Sequence, residues 1–427
     1  MNFFTPLLSK IRQKLSNPFV RNLGWLGIAE VVYRAFRLIL LVLTARFLTK
    51  YDYGLAAIVL AVREFTLTFC DIGIGAKIIQ ADEKELDELC NSAYWLNWAV
   101  FFGLFIAQII ASFPIAWFYK NNDVILPICV SSLAYLIWPI SGIQKTLIQR
   151  ENRFKSIAVV ESFQNIVGSI ISGILAVLGM GVWAFVLSGV LLAPVEVVMF
   201  YKQHPWRPTS KFTTKYWKEI FDFGKNILGV TLLRTLRNNL DYLIVGRFLG
   251  IEELGKYFFG FNAGFGVSLS LINSINHAIL PHLCSVLPDR SKFKATYFSS
   301  LKTISFVIVP LVLTQSSLAP FYVPIVFGEK WISAIPILIL ICLSAIPRAF
   351  ADAASQLLVA AGKPHLNLRW NVIFTFIFAA ALFLGVQFQA IGVAASVFLI
   401  HIICMPLFIF WATRYVFPKK ESFNLGS

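Results

Sequence analysis

Apolar runs of about 20 residues, the length a helix needs to cross the hydrocarbon layer of a bilayer, recur along this whole chain with only short polar breaks. No stretch is left over for a soluble domain. A length of 427 residues would otherwise suggest two or three soluble domains, but 58% hydrophobic and only 14% charged residues override that. The fold class that follows is an all-α polytopic membrane protein with about 12 transmembrane helices. The spans fall near 23–47, 54–76, 93–119, 124–148, 156–178, 182–201, 223–249, 254–281, 298–326, 332–361, 367–386 and 390–416. Of these, the ninth, with Pro310, Pro320 and Pro324, is the least regular and is expected to end early. Prolines in many spans predict kinked helices whose freed carbonyls are satisfied by neighbours. Residues 1–21 place Phe4, Leu7, Leu8, Ile11 and Leu15 opposite Lys10, Arg12 and Lys14, the pattern of an interfacial amphipathic helix.

The net charge of +15 is a matter of topology and excludes a nucleic-acid partner on its placement. If the chain starts on the cytoplasmic side, 25 of its Lys and Arg residues fall on that side and six on the other. The positive-inside rule then places both termini, and the loop 202–221, in the cytoplasm. The six cysteines show no CxxC and no close histidine, and read as buried, inert thiols; metal and cofactor are both expected to be none. The histidines are scattered and read as loop or helix-end residues. Asp82, Glu83, Glu85, Asp87 and Glu88 read as a solvated helix start, and Lys363-Pro364 after Gly362 as a helix stop.

Six basic residues lie inside the spans. An arginine at the bilayer centre costs roughly 2.5–3.5 kcal/mol on the insertion scale, so each needs a wet or paired environment. Arg34 and Arg37 are three residues apart and share a helical face, and the pattern returns as Arg234 and Arg237. Guanidinium groups remain charged and offer a bidentate fork to oxyanions, which makes these four the candidate substrate-binding site for an anionic group. Pairing with Glu30 and Asp241 is the structural alternative. Arg63, Glu64, Asn238, Asn239, Asp241, Arg348 and Asp352 are further cavity candidates, and Asn238, Asn239, Tyr33 and Tyr242 could offer polar or stacking contacts to a substrate. Arg63 with Glu64, and Arg348 with Asp352 four residues on, could equally be internal ion pairs. Asp71, beside Gly73 and Gly75, reads as a helix-end cap.

The chain repeats itself. Arg46-Phe47-Leu48 with Asp52 and Gly54 recurs as Arg247-Phe248-Leu249 with Glu253 and Gly255, and Gly181-Val182-Trp183-Ala184 is echoed by Gly392-Val393-Ala394-Ala395. This divides the chain into the amphipathic segment 1–21, an N-lobe 22–201, a linker 202–221, a C-lobe 222–417 and a tail 418–427. Six spans per lobe predict a pseudo-twofold axis along the membrane normal, with the substrate path at the repeat interface.

Catalytic motifs such as GxSxG, HExxH and Walker A are missing from the sequence, so an enzyme is not expected and transport would be gradient-driven. The stretches Ala45–Gly54, Asp71–Ala76, Leu147–Phe154, Gly179–Ala184, Asn239–Gly250 and Phe327–Trp331 resemble, in order, the polysaccharide transporter (Wzx-like) branch of the multidrug/oligosaccharidyl-lipid/polysaccharide (MOP) exporter superfamily. That resemblance implies a flippase moving undecaprenyl-diphosphate-linked oligosaccharide across the cytoplasmic membrane for O-antigen, capsule or exopolysaccharide synthesis. Its partners would be the lipid-linked oligosaccharide and the bilayer, with a polysaccharide polymerase and chain-length regulators beyond them. The alternatives are a membrane-embedded polymerase or glycosyltransferase, which needs a larger outer loop than this chain offers, and a MATE-like exporter of small amphipathic molecules.

Overall fold

A computed structural model describes residues 36–70, 73–209 and 211–418. Arg34, Tyr33, Glu30, Asp71, the amphipathic segment 1–21 and the tail from 419 lie outside them. Among the described residues there is no strand. The helices are α1 (residues 36–47), α2 (Lys50–Cys70), α3 (Ile74–Gln80), α4 (Leu86–Tyr119), α5 (Ile125–Ser131), α6 (Gly142–Arg150), α7 (Phe154–Val177), α8 (Trp183–Gln203), α9 (Trp217–Leu249), α10 (Ile251–Ser285), α11 (Arg290–Tyr322), α12 (Ile335–Ala360), α13 (Pro364–Gly385) and α14 (Gln389–Val416). Seven helical stretches among the described residues are long and apolar enough to cross a membrane; one of them, Pro364–Val416, runs 53 residues and contains both α13 and α14. This is a multi-pass membrane protein.

Local chemistry explains where the helices break. Pro127 and Pro139 remove backbone donors, and the expected fourth span is a chain of short pieces: α5, two 3₁₀ segments (Ser132–Leu136 and Trp138–Ile140), then α6. The ninth span does not end early. Asp289 caps α11 by accepting from the backbone N–H groups of Ser291 and Lys292, and the helix runs 33 residues through Pro310 and Pro320. The Lys292 N–H, first among its neighbours, holds the Asp289 carboxyl below its usual range. A π-turn at Val323–Phe327 and a 3₁₀ turn at Glu329–Ala334 follow. Lys363-Pro364 stops and restarts the helix as expected, with Pro364 in the first turn of α13.

The repeated RFL motif has one local meaning in both copies. It closes one helix, α1 or α9, and the acidic residue after it sits in the first turn of the next, Asp52 in α2 and Glu253 in α10. Negative charge there complements the helix dipole. Asp52 also accepts from the Thr49 backbone N–H at 2.9 Å, and Glu253 pairs with Lys256.

The chain divides into two compact units between Asn238 and Asn239, inside α9. In the first unit, Ile74 and Ile78 of α3, Leu89, Cys90, Ala93 and Leu96 of α4, Ile143 and Leu147 of α6, and Tyr216 and Ile220 form one buried cluster. The opening of α9 is therefore part of that core, which is why the compact unit extends past the linker. In the second unit α12 packs against α10, α11 and α14. Gly264 permits the close approach: a Cβ there would sit 2.9 Å from the Leu338 carbonyl. Trp331, fully buried, stacks on Phe259 with ring centroids 4.0 Å apart.

Two expectations about side chains need correction. Cys284 is exposed, whereas Cys90, Cys342 and Cys404 are buried. His401 is not at a helix end: it lies buried within α14, its Nδ1 2.7 Å from the Val397 carbonyl oxygen and its ring edge-on to Phe374 and Phe378.

Candidate functional site: two exposed arginines

Arg37 on α1 and Arg234 on α9 are both exposed. Among the described residues neither makes a hydrogen bond or an ion pair. A free guanidinium facing hydrocarbon is costly, which makes these two side chains the candidates to face water or an anionic ligand. Arg237, one turn on, is half-buried and engaged, as are Arg348 and Asp352; the exposed Glu64 and the buried Asn239 are engaged too. Between the two arginines, Thr235 is buried and its hydroxyl lies 3.0 Å from that of Thr68 on α2. That contact fixes the register of this part of α9 against α2.

Arg63 does not pair with Glu64. Consecutive helical residues point in different directions, and the Arg63 guanidinium instead stands over the Trp138 ring, 5.5 Å from its centroid. Gly189 leaves room for it: a Cβ there would lie 3.1 Å from Nη1. Trp138 Nε1 is buried without a hydrogen-bond partner among the described residues. Beside it runs a buried polar network that no sequence pattern had marked. Gln108 of α4 donates to the Ile128 carbonyl and Ser131 Oγ, each at 2.9 Å, and accepts from Thr66 at 2.9 Å and Tyr135 at 3.0 Å.

In the second unit Asp241 is buried, and its carboxylate accepts from the Tyr257 hydroxyl at 2.8 Å and the Tyr242 backbone N–H at 3.0 Å. Among the described residues the groups bonded to the Asp241 carboxylate are thus a tyrosine hydroxyl and a backbone N–H, and the alternative of pairing through Glu30 and Arg34 lies outside the described residues. Arg348 of α12 is near enough to act on Asp241 electrostatically. Of the candidates, the structure brings together Asp241, Arg348 and Tyr242, whose ring meets Tyr257, Phe258 and Phe261 edge-on. Asn238, half-buried, and Asn239, buried, precede them on α9. Gln315 of α11 echoes Gln108, donating to the carbonyls of Ala263 and Gly264.

Within the stretch Leu147–Phe154, Arg150 has a structural role. Its Nη1 donates to the carbonyls of Ile78 at 2.6 Å and Ala81 at 2.7 Å, closing the C-terminal end of α3, and its Nη2 pairs with Glu83 at 2.9 Å. Part of the acidic loop is therefore tied down and not merely solvated. Arg150→Ala leaves those carbonyls without their donor and is expected to destabilise the protein by about 2–4 kcal/mol. Thermal unfolding of the purified protein in detergent checks this; an unchanged midpoint would show that water replaces the guanidinium without loss.

The profile of the family described as "Polysaccharide biosynthesis protein" matches residues 43–336, more than half of the chain. The chain belongs to that family. It is 26% identical over 360 residues to the teichuronic acid biosynthesis protein TuaB of Bacillus subtilis (strain 168), covering 84% of this chain and 74% of that protein. It is 26% identical over 382 residues to the lipopolysaccharide biosynthesis protein WzxC of Escherichia coli (strain K12), covering 89% and 77%. The succinoglycan biosynthesis transport protein ExoT of Rhizobium meliloti (strain 1021) is 20% identical over 76% of this chain and 65% of its own length. Among solved structures, lipid II flippase MurJ in an inward closed conformation superimposes with a TM-score of 0.73 at 15% identity, covering 91% of this chain and 87% of that one. An inward-facing MATE family multidrug resistance transporter of the MOP superfamily gives 0.72 at 13%, covering 90% and 94%. At these identities the structures establish the fold, that of the MOP exporters, and not the cargo.

Proposed function

We propose that this protein is a flippase that carries a lipid-linked oligosaccharide, of the undecaprenyl diphosphate type, across the cytoplasmic membrane by alternating access. The observation that carries the reading is the pair of guanidinium groups, Arg37 and Arg234, exposed and, among the described residues, without a hydrogen-bond or ion-pair partner. A polyprenyl diphosphate supplies what they lack, a compact anion that must leave water and whose oxygens match the guanidinium fork. Arg34 and Arg237 complete the repeat of the motif, and Asn238, Asn239 and Tyr242 offer polar and stacking contacts to the sugars. Membership of a polysaccharide biosynthesis family, and relatives named for the synthesis or transport of such polymers, support this cargo class. Export of cationic drugs fits poorly, because unneutralised like charges repel strongly in a low dielectric. The membrane partners on this reading are the polymerase and chain-length regulators that consume the flipped unit.

The test is translocation itself. Proteoliposomes containing the protein and a lipid-linked oligosaccharide should render the sugar accessible to an impermeant glycosidase on the opposite side, and liposomes without protein should not. Equal accessibility in both would reject the reading. Orientation is tested separately: cysteines at Thr209 and Asn122, both exposed, should label from the cytoplasmic and outer sides respectively, following the 25 to six split of basic residues. Labelling of Thr209 only from outside would reverse the topology.

A further inference from the structure

The linker between α8 and α9 is not a loose connection. Asn91, near the start of α4, grips its backbone twice, donating to the Lys211 carbonyl at 2.9 Å and accepting from the Thr209 N–H at 3.1 Å. Trp95 Nε1 donates to the same Lys211 carbonyl, Gln144 Nε2 donates to the Trp206 carbonyl, and Lys215 pairs with Glu88 at 2.8 Å.

The depth of this strap follows from α4. Its 34 residues span roughly 50 Å at 1.5 Å each, against about 30 Å of hydrocarbon, so the first turns stand in the headgroup layer. Aromatic rings gather there: Tyr94 lies edge-on to Trp95 and Trp98 and tilted against Trp206, while Phe212 meets Trp95 at 5.6 Å and Trp217 at 5.9 Å. Tryptophan and tyrosine concentrate at that level because one end of the ring is apolar and the other wet. Phe212 is still 63% exposed. Lys211 and Lys218, in and just beyond the strap, are exposed and, among the described residues, form no ion pair: Glu88 and Glu219 are taken by Lys215 and Lys77, and Asp222, on which Lys218 acts electrostatically, is paired with Lys225.

We propose that this strap is a binding surface for anionic phospholipid headgroups, with Phe212 entering the interface and Lys211 and Lys218 holding the phosphates. The proposal is independent of the cargo. Generic positive charge on one side of a membrane protein would not require a backbone clamped in place, nor an exposed phenylalanine set between unpaired lysines.

The experiment titrates the purified full-length protein in neutral detergent with short-chain phosphatidylglycerol and follows the thermal midpoint. Stabilisation should saturate, and each of Lys211→Gln and Lys218→Gln should raise the half-saturating lipid concentration about fivefold, the equivalent of about 1 kcal/mol for a basic residue at an anionic surface. Both lysines are exposed, so neither substitution threatens the fold, and Phe212→Ser should weaken binding by more than the loss of its Trp95 and Trp217 contacts lowers the midpoint measured in lipid-free detergent. Equal stabilisation by phosphatidylcholine would overturn the proposal, as would reproduction of the effect by inorganic phosphate, which would mean a discrete anion site. Wild-type half-saturation in the double lysine variant would also overturn it. Indifference of the wild-type protein to phosphatidylglycerol would reject the lipid and leave the surface to an acidic protein partner.

Discussion

Arg234→Ala is expected to reduce translocation of the lipid-linked oligosaccharide about a hundredfold or more while leaving the protein correctly inserted. A guanidinium bonded twice to a diphosphate contributes about 3 kcal/mol or more, since hydrogen bonds to charged groups run about 1.5–3 kcal/mol each, and every 1.4 kcal/mol is about a factor of ten. Insertion cannot account for such a loss. Removing an arginine from a membrane helix lowers the cost of inserting it, and Arg234 supports no neighbour among the described residues whose loss would unfold the helix. Arg37→Ala should behave alike, for the same reason. Lysine at either position should rescue only in part, because a point charge replaces a two-pronged fork. Arg237 is different: it is half-buried and engaged, so alanine there should lower stability together with transport. Surface polysaccharide in a strain depleted of the native protein is the cellular readout, and the glycosidase assay the biochemical one. If alanine at all four positions of the two motifs left polysaccharide at wild-type levels, the arginines would be structural and the mechanism would fall.

Why the arginines could be found in the sequence, and the polar network around Gln108 could not, is a matter of contrast and range. A permanently charged residue in a span-length apolar run stands out against its neighbours whatever it contacts. Gln108 is one neutral amide in such a run, and its meaning lies in Ile128, Ser131, Tyr135 and Thr66, which approach only when three helical segments pack. The same holds for Asn91, whose partners at Thr209 and Lys211 are more than a hundred residues away. Helix breaks were partly legible. Proline marked the fragmented fourth span, but three prolines also suggested an early end to the ninth, which long-range packing on α12 and the Asp289 cap carry through as one helix. His401 was misplaced because a histidine in an apolar run can satisfy one ring nitrogen on the carbonyl four residues back, as it does on Val397, and bury the ring among phenylalanines.

Gly73→Ala is expected to destabilise the first unit by about 2–5 kcal/mol, and the glycines of this chain allow the cause to be separated. Gly73 has φ +83°, a left-handed conformation that disfavours any side chain by about 1–2 kcal/mol. Independently, a Cβ there would sit 2.8 Å from Gly224 Cα and 3.2 Å from Gly224 N. Those are backbone atoms of α9, held in place by the buried Thr68–Thr235 contact and by Ile220 in the core. They cannot swing aside as a side-chain tip would, and overpacking of this kind adds about 1–3 kcal/mol. Gly179 supplies the first effect without the second, having φ +74° and nothing within 4 Å of a built Cβ. Gly179→Ala should therefore lower stability by only about 1–2 kcal/mol. Gly103, within α4 and equally unobstructed, supplies neither; alanine there should stabilise by about 0.5–1 kcal/mol through helix propensity. Thermal unfolding of the three variants in detergent, with the native protein beside them, should thus give one large loss, one small loss and one gain. If Gly73→Ala proved no worse than Gly179→Ala, the turn before α3 would not be pressed against α9. The close packing that makes the start of α9 part of the first unit's core would then have to be withdrawn.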